Sequence, residues 1–228
     1  MVSRLRYSNA NGKIRNDASE TIKKIALRLF AERGVDGVTV REIATAASQK
    51  NHGAVGYYFN SKEALVREII SDGAKVIDER RNAMLDALEA QGGPKTVREV
   101  VEAIIYPSLE PFDDGADDCY MRLVTILNLT HRDLFTDAIE SRWNGGYQRC
   151  LTHLRRLMPP LANGIKNQRL LFLGSYLAMV MALRQTALSH AAREHSVWLK
   201  QQTLDHLATT ATAMLECGDP EPSQLAGF

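Results

Sequence analysis

The stretch TIKKIALRLFAERGVDGVTVREIATAASQKNHGAVGYYFNSKEALVREII, residues 21–70, decides how this chain folds. Its apolar residues recur at the three- and four-residue spacing of helices, and glycines and polar turns separate them into short groups. The pattern predicts a first helix that starts after Asp17 and ends at Gly34, a second that opens at Thr39, and a short third over Asn51 to Phe59. Two short helices joined by a tight polar turn, with small and polar residues on the outer face of the second, are typical of a helix-turn-helix that reads the DNA major groove.

Positive charge is concentrated at the same end of the chain. The whole chain carries +1, but residues 1–72 hold 12 basic and 8 acidic side chains, and residues 73–228 hold 16 and 19. The net charges are therefore +4 and −3, which favours an acidic partner for the N-terminal part. A small structural bundle is the alternative that periodicity alone leaves open. Phosphate contacts from the turn and the helix N-termini, and base or sugar contacts from the third helix, are predicted for Thr39, Lys50, Asn51, His52, Gly53, Ala54, Tyr57 and Lys62.

The rest of the chain also shows helical periodicity, so the predicted fold class is all-α. Further helices are expected over residues 62–90, 96–109, 118–129, 134–158, 165–194 and 197–216, with breaks at glycines, prolines and polar turns. The predicted organisation is a mobile basic tail over 1–16, a helix-turn-helix domain over 17–61, a helical ligand-binding and dimerisation domain over 62–217 and a flexible tail over 218–228.

Four sequence features give this N-terminal region a specific resemblance. They are LFAERG at the end of the first helix, TVREIA in the second, YYF at the close of the third and SKEAL at the start of the fourth. The region resembles the DNA-binding domain of the TetR family of bacterial transcriptional repressors. The resemblance implies a homodimer on a roughly palindromic operator, released when a small molecule binds the C-terminal domain. It also implies that Thr39 caps the second helix and touches phosphate, that Tyr57 faces DNA and that Lys62 contacts phosphate.

The C-terminal helices suggest a dimer interface. Residues 170–183 are apolar nearly all round, so we expect that helix to be buried by its own domain on one side and by a partner on the other. The last helix adds apolar and small residues at helical spacing; an ordinary monomeric core is the alternative. The predicted interface residues are Leu177, Met181, Leu188, Leu204, Leu207, Ala208, Ala211 and Leu215.

A ligand pocket is expected among residues with an apolar body and a polar tip, although plain core packing is the commoner role for each. Arg122 and Arg184 lie in apolar helical stretches and each needs a carboxylate partner or a route to solvent. Arg122 could face an acidic group of the ligand, and a salt bridge is the alternative for both. The candidates are Tyr106, Met121, Arg122, Thr125, Asn128, Trp143, Tyr147, Phe172, Tyr176 and Met179.

An enzyme is not expected, because GxGxxG, GxSxG, P-loop and HExxH patterns are absent from the sequence. The histidines and the three cysteines lack metal-ligand spacing, so we expect no metal and no cofactor. With no signal-like segment at the start, and an apolar stretch too short for a bilayer, a cytoplasmic protein is expected. The predicted function is a TetR-type repressor that binds operator DNA as a homodimer and is released by a mostly apolar effector. A DNA-bound adaptor or a ligand-dependent activator of the same architecture is the alternative.

Overall fold

The structure is a computed structural model that describes residues 3–49, 53–109, 119–139, 142–189, 196–199 and 201–218, with side chains from residue 18 onwards. Throughout these ranges the regular elements are helices, and no strand occurs, which confirms the all-α prediction. The helices are α1 (Ser3–Arg33), α2 (Val40–Ala46), α3 (Ala54–Phe59), α4 (Lys62–Glu89), α5 (Val97–Ile105), α6 (Tyr120–Thr130), α7 (Arg132–Ile139), α8 (Gly145–Leu157), α9 (Asn163–Ser189), α10 (Ser196–Leu199) and α11 (Gln201–Glu216), with a 3-10 turn at Tyr106–Ser108 after α5.

Local chemistry explains where several helices begin and end. Gly34 follows α1 with φ of +73°, a left-handed conformation that glycine adopts without a steric penalty. Ser61 caps α4 by accepting a hydrogen bond from the Ala64 amide at 3.0 Å. Thr96 caps α5 in a capping box with Glu99. These caps satisfy amides that a helix N-terminus otherwise leaves without an intrahelical partner.

The described residues form two apolar cores, and α4 connects them. The first packs α1, α2, α3 and α6 around the N-terminal half of α4, with Phe30, Ile43 and Leu65 fully buried. The second packs α5, α8, α9 and α11 around Leu85, near the C-terminal end of α4. The helix-turn-helix is thus anchored to the C-terminal domain by a continuous 28-residue helix and by α6.

Two helix predictions are corrected by the structure. The first helix begins at Ser3 instead of after Asp17, because residues 3–33 contain no proline to stop helical hydrogen bonding. The predicted helix over 134–158 is two helices, α7 and α8, because the amide of Gly146 bonds the buried Asp78 on α4 and so fixes a new helix start.

The residues expected at a dimer interface are mostly buried inside the single chain. All except the half-buried Leu188 are buried, and five of them belong to the second core, namely Leu177, Leu207, Ala208, Ala211 and Leu215. Met181 and Leu204 are buried as well. They leave almost no surface for a partner, so this part of the interface prediction is not supported.

A different face of α9 is apolar and exposed. Leu171, Phe172, Met179 and Leu183 are between 45% and 65% exposed on the protomer. Length and composition alone make α9 a candidate membrane span, which corrects the expectation that its apolar stretch is too short. Helices in the core of a protein pass the same test, and Leu173 and Leu177 of α9 are core residues.

Candidate nucleic-acid interface

The N-terminus of α2 is organised by a capping box. The Thr39 hydroxyl accepts a hydrogen bond from the Glu42 amide at 3.2 Å, and the Glu42 carboxylate accepts from the Thr39 amide at 2.8 Å and the Thr39 hydroxyl at 2.7 Å. This geometry confirms Thr39 as the cap of the second helix. The first amides of α2 and the exposed Thr39 lie at the positive end of the helix dipole, which is a favourable place for a phosphate.

Glu42 is also held by an arginine outside the capping box. Arg33, the last residue of α1, donates to the Glu42 carboxylate at 2.7 Å and also to the Gly37 carbonyl oxygen. Hydrogen bonds from Thr39, and then from Arg33, lower the pKa of Glu42 from 4.5 to about 2. The carboxylate therefore stays ionised at neutral pH and ties the end of α1 to the start of α2.

The predicted recognition helix is α3, and its two faces are clearly different. Val55 and Phe59 are buried against α1, α2 and α4, whereas Tyr57 is 63% exposed and stacks edge to face with Tyr58 at 5.0 Å between ring centroids. Gly53 and Gly56 are also exposed, so the backbone can approach another surface closely there. Ala54 is only 5% exposed because it packs into the core, which corrects its assignment to the DNA contacts.

Lys62 has an intramolecular role that the sequence did not reveal. Its ammonium group donates to the carbonyl oxygens of Val35 at 3.0 Å and Val38 at 3.2 Å, in the loop between α1 and α2. A lysine has three N–H donors, so these two bonds leave one donor for another acceptor. Lys62 thus holds the helix-turn-helix loop against α4, and its phosphate contact stays a prediction.

The turn residues Lys50, Asn51 and His52 lie outside the described residues. Arg41 is a candidate that the sequence reading missed, since it is exposed in the first turn of α2, two residues after Thr39. A basic side chain directly after a predicted cap is the signal that could have found it. Arg41, Thr39 and Tyr57 belong to the two helices of the helix-turn-helix.

Lys23 and Arg122 are among the polar side chains that connect this unit to the rest of the molecule. Lys23 of α1 pairs with Asp72 at 2.6 Å and Glu68 at 3.4 Å, both on α4, and with Glu20 at 2.7 Å. Burial by itself would lower the pKa of Lys23, but the bonds to Asp72 and Glu20 outweigh it and raise the pKa above its ordinary value. The Arg122 guanidinium of α6 donates to the Ala31 carbonyl oxygen of α1 at 3.2 Å.

The ten predicted ligand residues are spread over several helices of the part of the chain that the structure describes, and their role in ligand binding stays a prediction. Trp143, just before α8, donates to Ser71 on α4, and the hydroxyl of Tyr106 bonds Asp205 on α11. Phe172 and Met179 are exposed on α9, and only Tyr176 lines the cleft described below. The others occupy half-buried or exposed positions, namely Met121, Arg122, Thr125 and Asn128 on α6 and Tyr147 on α8. Where the structure describes the chain, no three His, Cys, Asp or Glu side chains form a metal-binding group.

Comparisons with known proteins agree with this geometry. Residues 22–69 match the family described as "Bacterial regulatory proteins, tetR family". The chain is 34% identical over 90 residues, 39% of its length, to the HTH-type transcriptional repressor KstR2 of Rhodococcus jostii (strain RHA1). It spans 40% of the length of that relative.

Two solved structures share the fold over most of the chain. A tetR family transcription regulator from Shewanella sp. PV-4 superposes with a TM-score of 0.58 at 12% identity, covering 87% of this chain and 95% of that one. The TetR family transcriptional regulator PfmR from Thermus thermophilus gives a TM-score of 0.51 at 14% identity, covering 87% and 96%. The match over residues 22–69 confirms the resemblance of the N-terminal region to the tetR family of bacterial regulatory proteins, and the chain shares its fold with two regulators of that family.

Proposed function

We propose that this protein is a sequence-specific transcriptional repressor in the bacterial cytoplasm that binds a palindromic operator as a homodimer and is released by a mostly apolar small molecule. The observation that carries the proposal is the exposed surface of α2 and α3 within the matched residues 22–69. There Thr39 and Arg41 stand at a helix N-terminus, and Tyr57 projects from a helix that is otherwise docked on the core.

The charge distribution supports DNA as the partner. The net charge of +4 belongs to residues 1–72, the part of the sequence that contains this surface, while the rest of the chain is net negative. Phosphates would thus be attracted to the helix-turn-helix end, and the binding constant should fall steeply with salt as counterions are released. The apolar face of α9 supports the dimer. Exposure of four large apolar side chains to water is unfavourable, and packing against a second copy of the chain would bury them.

The test of the proposal is selection of bound duplexes from a random DNA pool by the full-length protein at physiological salt. We expect enrichment of a two-fold symmetric sequence, because two recognition helices related by a dimer axis read two half-sites about 34 to 36 Å apart or a multiple of it. A protein that is folded but enriches no sequence would contradict the proposal. A reporter gene placed behind the selected sequence then distinguishes a repressor from an activator, since only a repressor lowers its expression.

Protein variants, assayed for binding to the selected operator, test which residues form the DNA interface. Arg41→Ala removes a phosphate contact, and we expect weaker binding to all sequences and a salt slope that is lower by about 1. Tyr57→Ala should weaken specific binding more than non-specific binding, because it lies on the recognition helix. The control is Lys95→Ala, an exposed lysine in the loop after α4, at the far end of that helix from the DNA-binding unit. Equal losses in Lys95→Ala and Arg41→Ala would show that the assigned surface is wrong.

A further inference from the structure

A cleft of about 230 Å³ opens between α9 and α11, with α10 beside it. Val180 of α9 and Leu204 and Leu207 of α11 form apolar walls, and Trp198 of α10 adds an aromatic ring. Arg184 of α9 and His206 of α11 also line the cleft. It lies within the C-terminal domain and apart from the helix-turn-helix, so it can hold a small molecule while α2 and α3 remain exposed.

Arg184 is the feature that indicates a ligand. Its Nε atom is buried and has no hydrogen-bond partner among the residues that the structure describes. An arginine stays charged in proteins, and a buried charged donor without an acceptor carries a large desolvation cost. The predicted route to solvent applies in part, because Arg184 as a whole is half-buried, whereas its Nε atom is buried and has no carboxylate partner in the described chain. An acceptor entering the cleft would remove this cost.

The chemistry of the walls narrows the class of that acceptor. A guanidinium offers two parallel N–H donors, which match the two oxygens of a carboxylate. Arg184 is the single lysine or arginine in the described lining, so a group with one negative charge fits better than a phosphate, which carries more. The remaining lining is largely apolar. We propose that the cleft binds an amphipathic monocarboxylate, with the carboxylate on Arg184 and the apolar body against Val180, Leu207 and Trp198.

The volume sets the size of the bound part. A space of 230 Å³ corresponds to about eight water molecules at their share of liquid volume, about 30 Å³ each. A ligand of this kind therefore has a short apolar body, or a longer one that extends beyond the cleft. Octanoate is a suitable probe, and octanol has the same chain without the charge.

The position of Arg184 also gives the ligand a route to the DNA-binding domain. The next residue, Gln185, accepts a hydrogen bond from the backbone amide of Arg122 on α6 at 3.1 Å, and Arg122 in turn bonds the Ala31 carbonyl at the end of α1. A ligand that draws Arg184 into the cleft acts on the helix turn that holds Arg122. The monocarboxylate is then the effector of the repressor, a consequence that rests on the proposed function, whereas binding in the cleft does not.

The experiment is calorimetric titration of the full-length protein with octanoate and with octanol, in the absence of DNA. We expect octanoate to bind about ten to a hundred times more tightly than octanol, which is the range for a charge-assisted hydrogen bond. Fluorescence of Trp198 in a Trp143→Phe protein locates the site, because Trp143 is bonded to Ser71 on α4 and Trp198 lines the cleft. Absence of octanoate binding would overturn the proposal.

Two variants test the carboxylate contact and the apolar contact of the ligand separately. Arg184→Gln should abolish the preference for octanoate over octanol, whereas Arg132→Gln, the same charge change at an exposed position of α7, should keep it. Val180→Phe fills the cleft and should weaken both ligands by about tenfold or more. Circular dichroism checks that each variant folds. Octanoate binding that survives both Arg184→Gln and Val180→Phe would place the ligand elsewhere and refute the site.

The two proposals can fail separately. Octanoate binding without any operator selection would leave a carboxylate-binding protein that does not read DNA. Operator selection without octanoate binding would leave the repressor and remove the ligand class. When both hold, octanoate should weaken operator binding by the same factor by which operator weakens octanoate binding, as linkage requires.

Discussion

Gly73 of α4 lies where Tyr120 of α6 crosses the connecting helix. A Cβ atom at Gly73 would stand 2.3 Å from Cε2 and 2.5 Å from Cζ of the Tyr120 ring, and this tyrosine is buried with its hydroxyl bonded to the Ile70 carbonyl at 2.7 Å. We expect Gly73→Ala to lower the free energy of unfolding by about 1 to 3 kcal/mol, because overpacking outweighs the better helix propensity of alanine. The control is Gly56→Ala, where nothing lies within 4 Å and urea unfolding should show no loss of stability. Equal losses in both variants would refute the argument.

At this scale the sequence predicts side chains whose role is local and misses those whose role depends on a distant neighbour. Thr39 was predictable because a cap and its partner are three residues apart. The role of Gly73 was not, since Tyr120 is 47 positions away in the chain. Lys62 shows the same limit: its position at the start of a helix is visible in the sequence, but its bonds to the carbonyls of Val35 and Val38 are not.

At the scale of the element, the capping box of α2 should make the helix sensitive to acid. The pKa of Glu42 is lowered to about 2 in the folded protein, so its contribution to stability is present above the ordinary value of 4.5 and is lost as the pH falls towards 2. We expect Glu42→Gln to reduce the melting temperature at about pH 6. The difference in melting temperature from the wild type should become smaller as the pH falls from about 5 to about 2. Thr39→Ala should lower the free energy of unfolding by about 1 kcal/mol. A Glu42→Gln difference that does not vary with pH would contradict the role of the carboxylate.

The starts of α2 and α4, each marked by a cap, were predicted, whereas the start of α1 and the break between α7 and α8 were not. Residues 134–158 read as one periodic run, yet α7 ends at Ile139 and α8 begins at Gly145. The carboxylate of Asp78, buried on α4, accepts a hydrogen bond from the Gly146 amide at 2.8 Å. Periodicity cannot report such a contact, because it depends on how α4 and α8 are placed.

Over the whole molecule, the apolar pattern predicted that α9 is covered on two sides but not which side faces a partner. Leu173 and Leu177 face the second core, and Phe172 and Met179 face outwards. Both faces are apolar because each loses contact with water, one to its own chain and the other, on our proposal, to a second copy. An apolar residue at helical spacing predicts burial, but the sequence does not indicate whether its own chain or a partner buries it.

The dimer proposed from this face can be tested by charge. Met179→Glu puts a carboxylate in the middle of the exposed apolar face of α9, where burial against a second copy would leave it without a partner. We expect the variant to sediment as a monomer at concentrations where the wild type is a dimer, and to lose operator affinity because one half-site is left unread. Leu129→Glu is the matched control, since Leu129 is 75% exposed on α6 and belongs to no proposed interface. If Met179→Glu remains a dimer, or if Leu129→Glu disrupts the dimer equally, the dimer interface lies on another surface. The two recognition helices would then be related by a different two-fold axis when they bind both half-sites.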